Sequence, residues 1–492
     1  MPKKPLIFII FLVVLTGIID FGPLLIPPTN PFYNIDPETA YIANALEFIQ
    51  VGKIDYYGHP GTPVIILLGN LFSYLKAFQV FSTQDFVQWA LIHYQELFWL
   101  SRGYFFLLFL IGNLLIHLSV YKQFKSLIVN FFLFVIFFLD PSFQEMSTKV
   151  ASEPIGLLLF SFWLISFLAH QNARRTKDLL LMALFAGILV ANKFVYAPIA
   201  IASLIIVVFQ KKHMLSGLVV VLLGFFLATL PIINNYPKLA TWLVNLTTKT
   251  GVYGTGGPGL IDPKLYIESA SYWINDRLAT VLLILTTAIC TLRAKSDKNW
   301  KILSLTGLIG FFLFMKYPAA RYQAGNILLL LISTAYIFSG LRKQVQILLL
   351  LVFFVPALIY GSHDFNFRRN LVKKAAHLQS FIDSLPKTEN IVWEYAESRD
   401  FALIRARNDS GYFISPQLKI IKPHMWELVS QTLTDIRNNK DETFDISCLC
   451  WDGIVMQKRS YSIFISKQNN VNLFLTENIP GTDMLYIKRN NL

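Results

Sequence analysis

Charge is scarce in this sequence, and cysteine is nearly absent. Only 15% of the 492 residues are Asp, Glu, Lys or Arg, whereas a soluble domain carries about 25%. That is too little charge to cover a water-facing surface. The three cysteines exclude a disulfide framework. Cys290 falls in an apolar run, and Cys448 and Cys450 would share one face of a strand, where so short a bridge is strained. No Cys/His cluster has the spacing of a zinc site, and internal repeats and low-complexity tracts are missing.

Apolar residues are abundant: 54% of the chain is hydrophobic and 15% aromatic. They are blocked rather than periodic. The runs Pro5–Ile26, Tyr104–Val120, Met214–Ile233, Leu278–Thr291 and Val345–Tyr360 contain almost no charge. A hydrocarbon core of roughly 30 Å needs about 20 apolar helical residues, because only self-satisfied backbones cross it. Several such runs cannot be one signal peptide. The first, which follows Met1-Pro2-Lys3-Lys4 and lacks a small-residue cleavage site, reads as a retained span.

A net charge of +13 would suggest nucleic acid in a soluble protein. Its placement points instead to a membrane, with no nucleic-acid partner. Basic segments recur every second span: Lys3-Lys4, Lys122/Lys125, Arg174-Arg175/Lys177, Lys211-Lys212, Arg293/Lys295/Lys298 and Arg342-Lys343. Cytoplasmic loops carry such an excess. The expected fold is therefore an all-α polytopic membrane protein of about 11 transmembrane helices. They lie near 5–26, 100–120, 126–140, 154–170, 179–193, 197–210, 214–233, 277–293, 300–316, 322–340 and 344–361, with the N-terminus inside. Val64–Phe81 is interrupted by Gly69, Asn70, Ser73 and Lys76. It reads as an interfacial helix in the first external loop, 27–99.

The membrane domain is expected to end near 362. Residues 363–492 are polar, with strand-like runs (Asn390–Tyr395, Ile446–Trp451, Ser460–Ser466) and helical ones (Leu371–Leu385, Met425–Asn438). They suggest a small soluble α/β domain. Arg368, Arg369, Lys373 and Lys374 argue for a cytoplasmic location, but five earlier loops place this domain outside, and long domains cross largely regardless of charge.

The informative chemistry lies in the external loops. Asp36 precedes Pro37, so it suits a helix N-cap, and Ile42, Ala45, Leu46 and Ile49 mark one apolar face before Gly52. Asp36 thus caps an interfacial helix, or uses its free oxygen as a base. Glu38 shares that first turn, and Asp36-x-Glu38 is able to hold a hard divalent ion such as Mg or Mn through oxygen. The turn Tyr56-Tyr57-Gly58-His59-Pro60-Gly61 follows. Lys149, Lys193, Lys316 and Arg321 stand at outer span ends, opposite Asp140, Glu145 and Glu153. They either snorkel and pair with those acids or bind a phosphate. The Gly-rich segment Gly251–Gly259 is either a lid or an ordinary turn.

This order of elements resembles the GT-C glycosyltransferases, especially the protein O-mannosyltransferase and aminoarabinose (lipid A) transferase group. The likeness rests on Asp36-Pro37-Glu38, the helix 38–51 and His59-Pro60-Gly61. Ser152-Glu153-Pro154, Gly187 to Lys193 and Arg321-Tyr322 extend it. Two departures stand out: Pro37 splits the usual Asp-Glu pair, and Gly61 replaces the second proline. The resemblance implies inverting transfer from a polyprenyl-phosphate-linked sugar to a hydroxyl of a glycan, lipid or protein acceptor. The site would face outward from a bacterial inner membrane. Asp36 would be the base, and Glu38, Asp140 and Glu153 the acidic site. Tyr57, His59, Lys193, Lys316, Arg321 and Tyr322 would hold the donor phosphate or substrate. A polysaccharide polymerase or ligase, or a lipid or sugar transporter, is the alternative.

Overall fold

The computed structural model describes residues 3–24, 38–52, 54, 61–78, 86, 89–90, 94–139, 147–210, 213–251, 254, 256–259, 261–293, 297–317, 319–384, 391–393, 453–457, 474–482 and 484–489. The chain divides into two compact units. One comprises Met1–Phe21, Lys53–Leu67 and Gly103–Asn366; the other comprises Gly22–Gly52, Leu68–Arg102 and Phe367–Leu492.

The helices are α1 (Lys3–Leu24), α2 (Glu38–Val51), α3 (Thr62–Ala77), α4 (Tyr94–Phe124), α5 (Leu127–Phe134), α6 (Ser152–Ala173), α7 (Thr176–Asn192) and α8 (Ala197–Phe209). There follow α9 (Met214–Thr229), α10 (Tyr236–Thr248), α11 (Pro263–Asp276), α12 (Leu278–Arg293), α13 (Lys298–Leu313), α14 (Ala324–Ser339) and α15 (Lys343–Ser384). A π-helical turn, Val135–Leu139, continues α5.

Local chemistry sets many of the boundaries in the first unit. Asp262 caps α11 by accepting from the Lys264 and Leu265 amides, and Asp297 caps α13 by accepting from the Asn299 amide. Prolines open α8, α10 and α11, where a missing N–H costs nothing. The hairpins α4–α5 and α6–α7 turn on Lys125 and Arg174, both held at φ 52°. A side chain is disfavoured in that left-handed conformation.

Small residues let the helices approach closely. A methyl group at Gly187 on α7 would run into the Val221 carbonyl of α9, and one at Gly224 on α9 would meet the Leu184 carbonyl. Aromatic rings fill the interior, with Trp300 stacked on Tyr336 at 4.3 Å and Phe132 on Phe338 at 4.9 Å. Outward, α9 and α15 present bare apolar side chains, Leu215 being 72% and Leu348 62% exposed. Hydrocarbon solvates such surfaces and water does not. The chain is a multi-pass membrane protein.

All eleven segments expected as spans hold helix. Among the described residues, five stretches are long and apolar enough to cross: Glu96–Phe124, Ser152–Ala173, Met214–Thr248, Ala320–Ser339 and Lys343–Leu378. A sixth arises if α11 and α12, bent by 104°, form one broken span. The helices α5, α7, α8, α12 and α13 fill other expected spans and are 8 to 17 residues long.

In the second unit, α2 stops at Gly52, whose φ of 71° turns the chain out of the helix. Phe48 of α2 packs on Gly69 of α3. Four strands, β1 (Ile391–Trp393), β2 (Gly453–Gln457), β3 (Phe474–Asn478) and β4 (Met484–Arg489), form one sheet in the order β1-β2-β4-β3. The β1–β2 pair is parallel and the other two pairs are antiparallel. Tyr486 meets Phe381 of α15 edge to face at 5.5 Å.

The expected strand Asn390–Tyr395 contains β1, and the expected helix Leu371–Leu385 is the end of α15, which runs unbroken from Lys343. Ile446–Trp451, Ser460–Ser466 and Met425–Asn438 lie outside the described residues.

Candidate functional site

The start of α6 and the end of α7 meet in the first unit. Asn192, the last residue of α7, donates from Nδ2 to the Ser152 carbonyl at 2.7 Å. The next residue, Lys193, is extended (φ −164°, ψ 135°), so its side chain leaves the helix there. Its Nζ donates to Glu153 Oε1 at 2.5 Å, and Ser152 Oγ donates to Oε2 at 3.2 Å. Lys193 is buried and Glu153 largely so.

A turn of 3₁₀ helix, Ala320–Gln323, adds a second cation. Arg321 is close enough to act electrostatically on Glu153. It also donates to the Tyr322 hydroxyl at 3.3 Å. The Tyr322 ring has Arg321 at 5.1 Å and Lys193 at 5.4 Å from its centre, so one ring serves two cations. Tyr317 packs on Tyr322 at 5.0 Å. Tyr196 lies near Glu153 with its hydroxyl over Gly156, where any larger side chain would collide with it. Among the described residues, one carboxylate and two cations stand together here.

Lys316 is held by backbone oxygens. Its ammonium donates to the Leu246 carbonyl at 2.8 Å and to the Lys249 carbonyl at 3.1 Å. The neighbouring Gly-rich segment is tied at its base. The Thr250 amide donates to the Gly257 carbonyl, and the Gly259 amide to the Thr248 carbonyl.

In the second unit, Glu38 accepts from Arg102 Nε at 2.9 Å and from a terminal guanidinium nitrogen at 2.8 Å, one bond to each oxygen. Both side chains are fully buried. Glu38 is thus held by a two-pronged arginine. Among the described residues, no three His, Cys, Asp or Glu side chains converge as a metal site. Asp36, Tyr57, His59, Asp140 and Glu145 lie outside the described residues.

Glu153, Lys193, Arg321 and Tyr322 are thus brought together, with Lys316 joined to them through Tyr317. Arg102, Asn192, Tyr196 and Tyr317 were not prominent as site residues in the sequence. Arg102 had one signal, a charge within an expected span. Tyr317 stands beside Lys316, but its partner Tyr322 is not evident from that position.

No protein-family model matches the chain, and no curated protein matches it. Solved structures do. The fold is similar to that of ArnT. For ArnT from Cupriavidus metallidurans bound to undecaprenyl phosphate, the identity is 11% and the TM-score 0.48, over 97% of each chain. For ArnT in the apo state the identity is again 11% and the TM-score 0.49, over the same share of both chains.

Proposed function

We propose that the protein is an integral-membrane glycosyltransferase that moves a sugar from a polyprenyl-phosphate donor to an acceptor hydroxyl, with inversion. One observation carries the proposal: Glu153 is buried at a helix start with Lys193 against it and Arg321 close by, both cations on the ring of Tyr322. Charge at membrane depth is expensive and is kept where it binds or moves something.

The isoprenoid chain would lie in hydrocarbon, with the phosphate facing Lys193 and Arg321. As the bond from the anomeric carbon to the phosphate oxygen breaks, the leaving phosphate gains negative charge. The two cations stabilise that charge more in the transition state than in the ground state. The acceptor hydroxyl forms the new bond from the opposite side, and its proton passes to a carboxylate, the role given to Asp36. Glu153 holds Lys193 in place. The Arg102–Glu38 pair secures the first turn of α2, two residues beyond Asp36 in the chain. The acceptor is a glycan, lipid or protein. The site faces outward from a bacterial inner membrane, and residues 363–492 lie on the same side. The recurrence of basic segments in every second loop supports that orientation.

The test is titration of the purified protein in nanodiscs with undecaprenyl phosphate, followed by native mass spectrometry. Lys193→Met and Arg321→Met should each weaken binding by about tenfold or more, as loss of a charge-assisted contact implies. Lys343→Met should not. Equal behaviour of all three variants, or no binding by the wild type, would overturn the proposal. Reporter fusions after Lys125, Lys177 and Lys298 should read cytoplasmic, and those near Lys53 external.

A further inference from the structure

We infer that Lys316 is a positioning residue of this site, holding the segment that carries Tyr317, Arg321 and Tyr322 by gripping the C-terminal end of α10. The inference builds on the function proposed above. It differs from the phosphate-binding role that the sequence suggests for Lys316.

An ammonium group taken out of water needs acceptors. A lysine that snorkels sends its nitrogen outward to find them. Lys316 is only 5% exposed, and its Nζ turns inward to the carbonyls of Leu246 and Lys249. Those carbonyls belong to a helix end, where the last oxygens have no partner within the helix and carry the negative end of its dipole. The amide that would ordinarily reach the Leu246 oxygen is that of Thr250, and it donates to Gly257 instead. Lys316 therefore satisfies a helix-end carbonyl that the helix itself leaves open. It does so across 70 residues of sequence.

On its other side Lys316 belongs to a run of tight turns between α13 and α14. The Tyr317 amide donates to Phe314, that of Ala319 to Tyr317, and that of Tyr322 to Ala319. Tyr317 follows Lys316 directly and packs on Tyr322, whose ring bears both Lys193 and Arg321. A continuous set of contacts thus leads from the end of α10 to the ion pair at Glu153. Two of the three ammonium hydrogens are already engaged with backbone, so the cation acts through position rather than by taking up phosphate.

Hydrogen-exchange mass spectrometry of the full chain in nanodiscs, combined with undecaprenyl phosphate titration, tests this. Lys316→Met should raise exchange by about tenfold in the segments 246–250 and 317–323 and weaken lipid binding by a similar factor. Lys316→Arg, which keeps charge and donors, should restore both. Lys193→Met should weaken binding without changing exchange at 246–250. Should the Met variant fail to fold, Lys316→Gln, which keeps a donor but loses the charge, should show intermediate exchange. Unchanged exchange in Lys316→Met overturns the inference. So does raised exchange with undiminished binding, which would make Lys316 a structural tie alone. If the wild type does not bind the lipid, the proposed function fails, while exchange at 317–323 still decides whether Lys316 holds that segment.

Discussion

Replacing Lys193 by Met gives the sharpest test of the pair at the heart of the site. Glu153 and Lys193 are 12% and 7% exposed in their side chains, so little solvent screens them. Removing one partner of a buried pair costs about 3–5 kcal/mol, because the other charge is left uncompensated. Arg321 stays within electrostatic reach of Glu153, so the lower end applies, about 3 kcal/mol. In the double variant Glu153→Gln/Lys193→Met neither member remains charged, and the loss should shrink to about 1 kcal/mol. In thermal unfolding followed by tryptophan fluorescence, a domain of this size shifts by roughly 2 °C per kcal/mol. The single variant should therefore melt about 6 °C below the wild type and the double variant about 2 °C below it. Binding of undecaprenyl phosphate should fall in both, separating stability from function. A single variant melting with the wild type would refute the reasoning, as would a double variant no more stable than the single one.

Asp36→Asn should leave the melting temperature unchanged, since Asn caps a helix as well as Asp does. It should abolish sugar transfer, because the amide takes up no proton, and near-normal transfer would remove Asp36 from the mechanism. Arg102→Met removes the guanidinium from Glu38 in a fully buried site and should cost about 3–5 kcal/mol. Arg102→Lys should recover part of that loss, and a melting point unaffected by the Met change would discount the pair. Lys125→Gly relieves a left-handed backbone at φ 52° and should raise stability by about 1 kcal/mol. A lower melting point would show that the Lys125 side chain contributes more than its backbone strain costs.

What depends on neighbouring residues was legible in the sequence. The helix 38–51 and its stop at Gly52 follow from apolar spacing and a residue tolerant of positive φ, and α2 has those bounds. The apolar runs became helices because a backbone in hydrocarbon has few other ways to satisfy itself. The pairings were another matter. Lys193 finds Glu153 across 40 residues and Arg102 finds Glu38 across 64, and no periodicity encodes such separations. For Lys316, sequence shows a charge near a span end, suited to phosphate or to snorkelling, but not the carbonyls it meets. The expected boundary at 362 marks where polar composition begins. Helical hydrogen bonding is indifferent to that change, and α15 continues to Ser384.

The clasp between Glu153 and Lys193 also bears on how the chain enters the membrane. The helices α6 and α7 are joined only by Arg174 and Arg175, and this basic turn favours staying on the cytoplasmic side. On the outward orientation proposed above, the far ends of the hairpin are translocated, and the two clasped side chains carry one negative and one positive charge. Moved together, they transport no net charge, so the membrane potential does no work on the hairpin. Moved alone, a lysine is driven back by an inside-negative potential at about 2.3 kcal/mol per 100 mV, while a glutamate is drawn outward by the same amount. Glu153→Gln therefore burdens insertion in a way that Lys193→Met does not. The energised cell should accumulate less of the former than of the latter, and collapsing the potential should bring the two levels together.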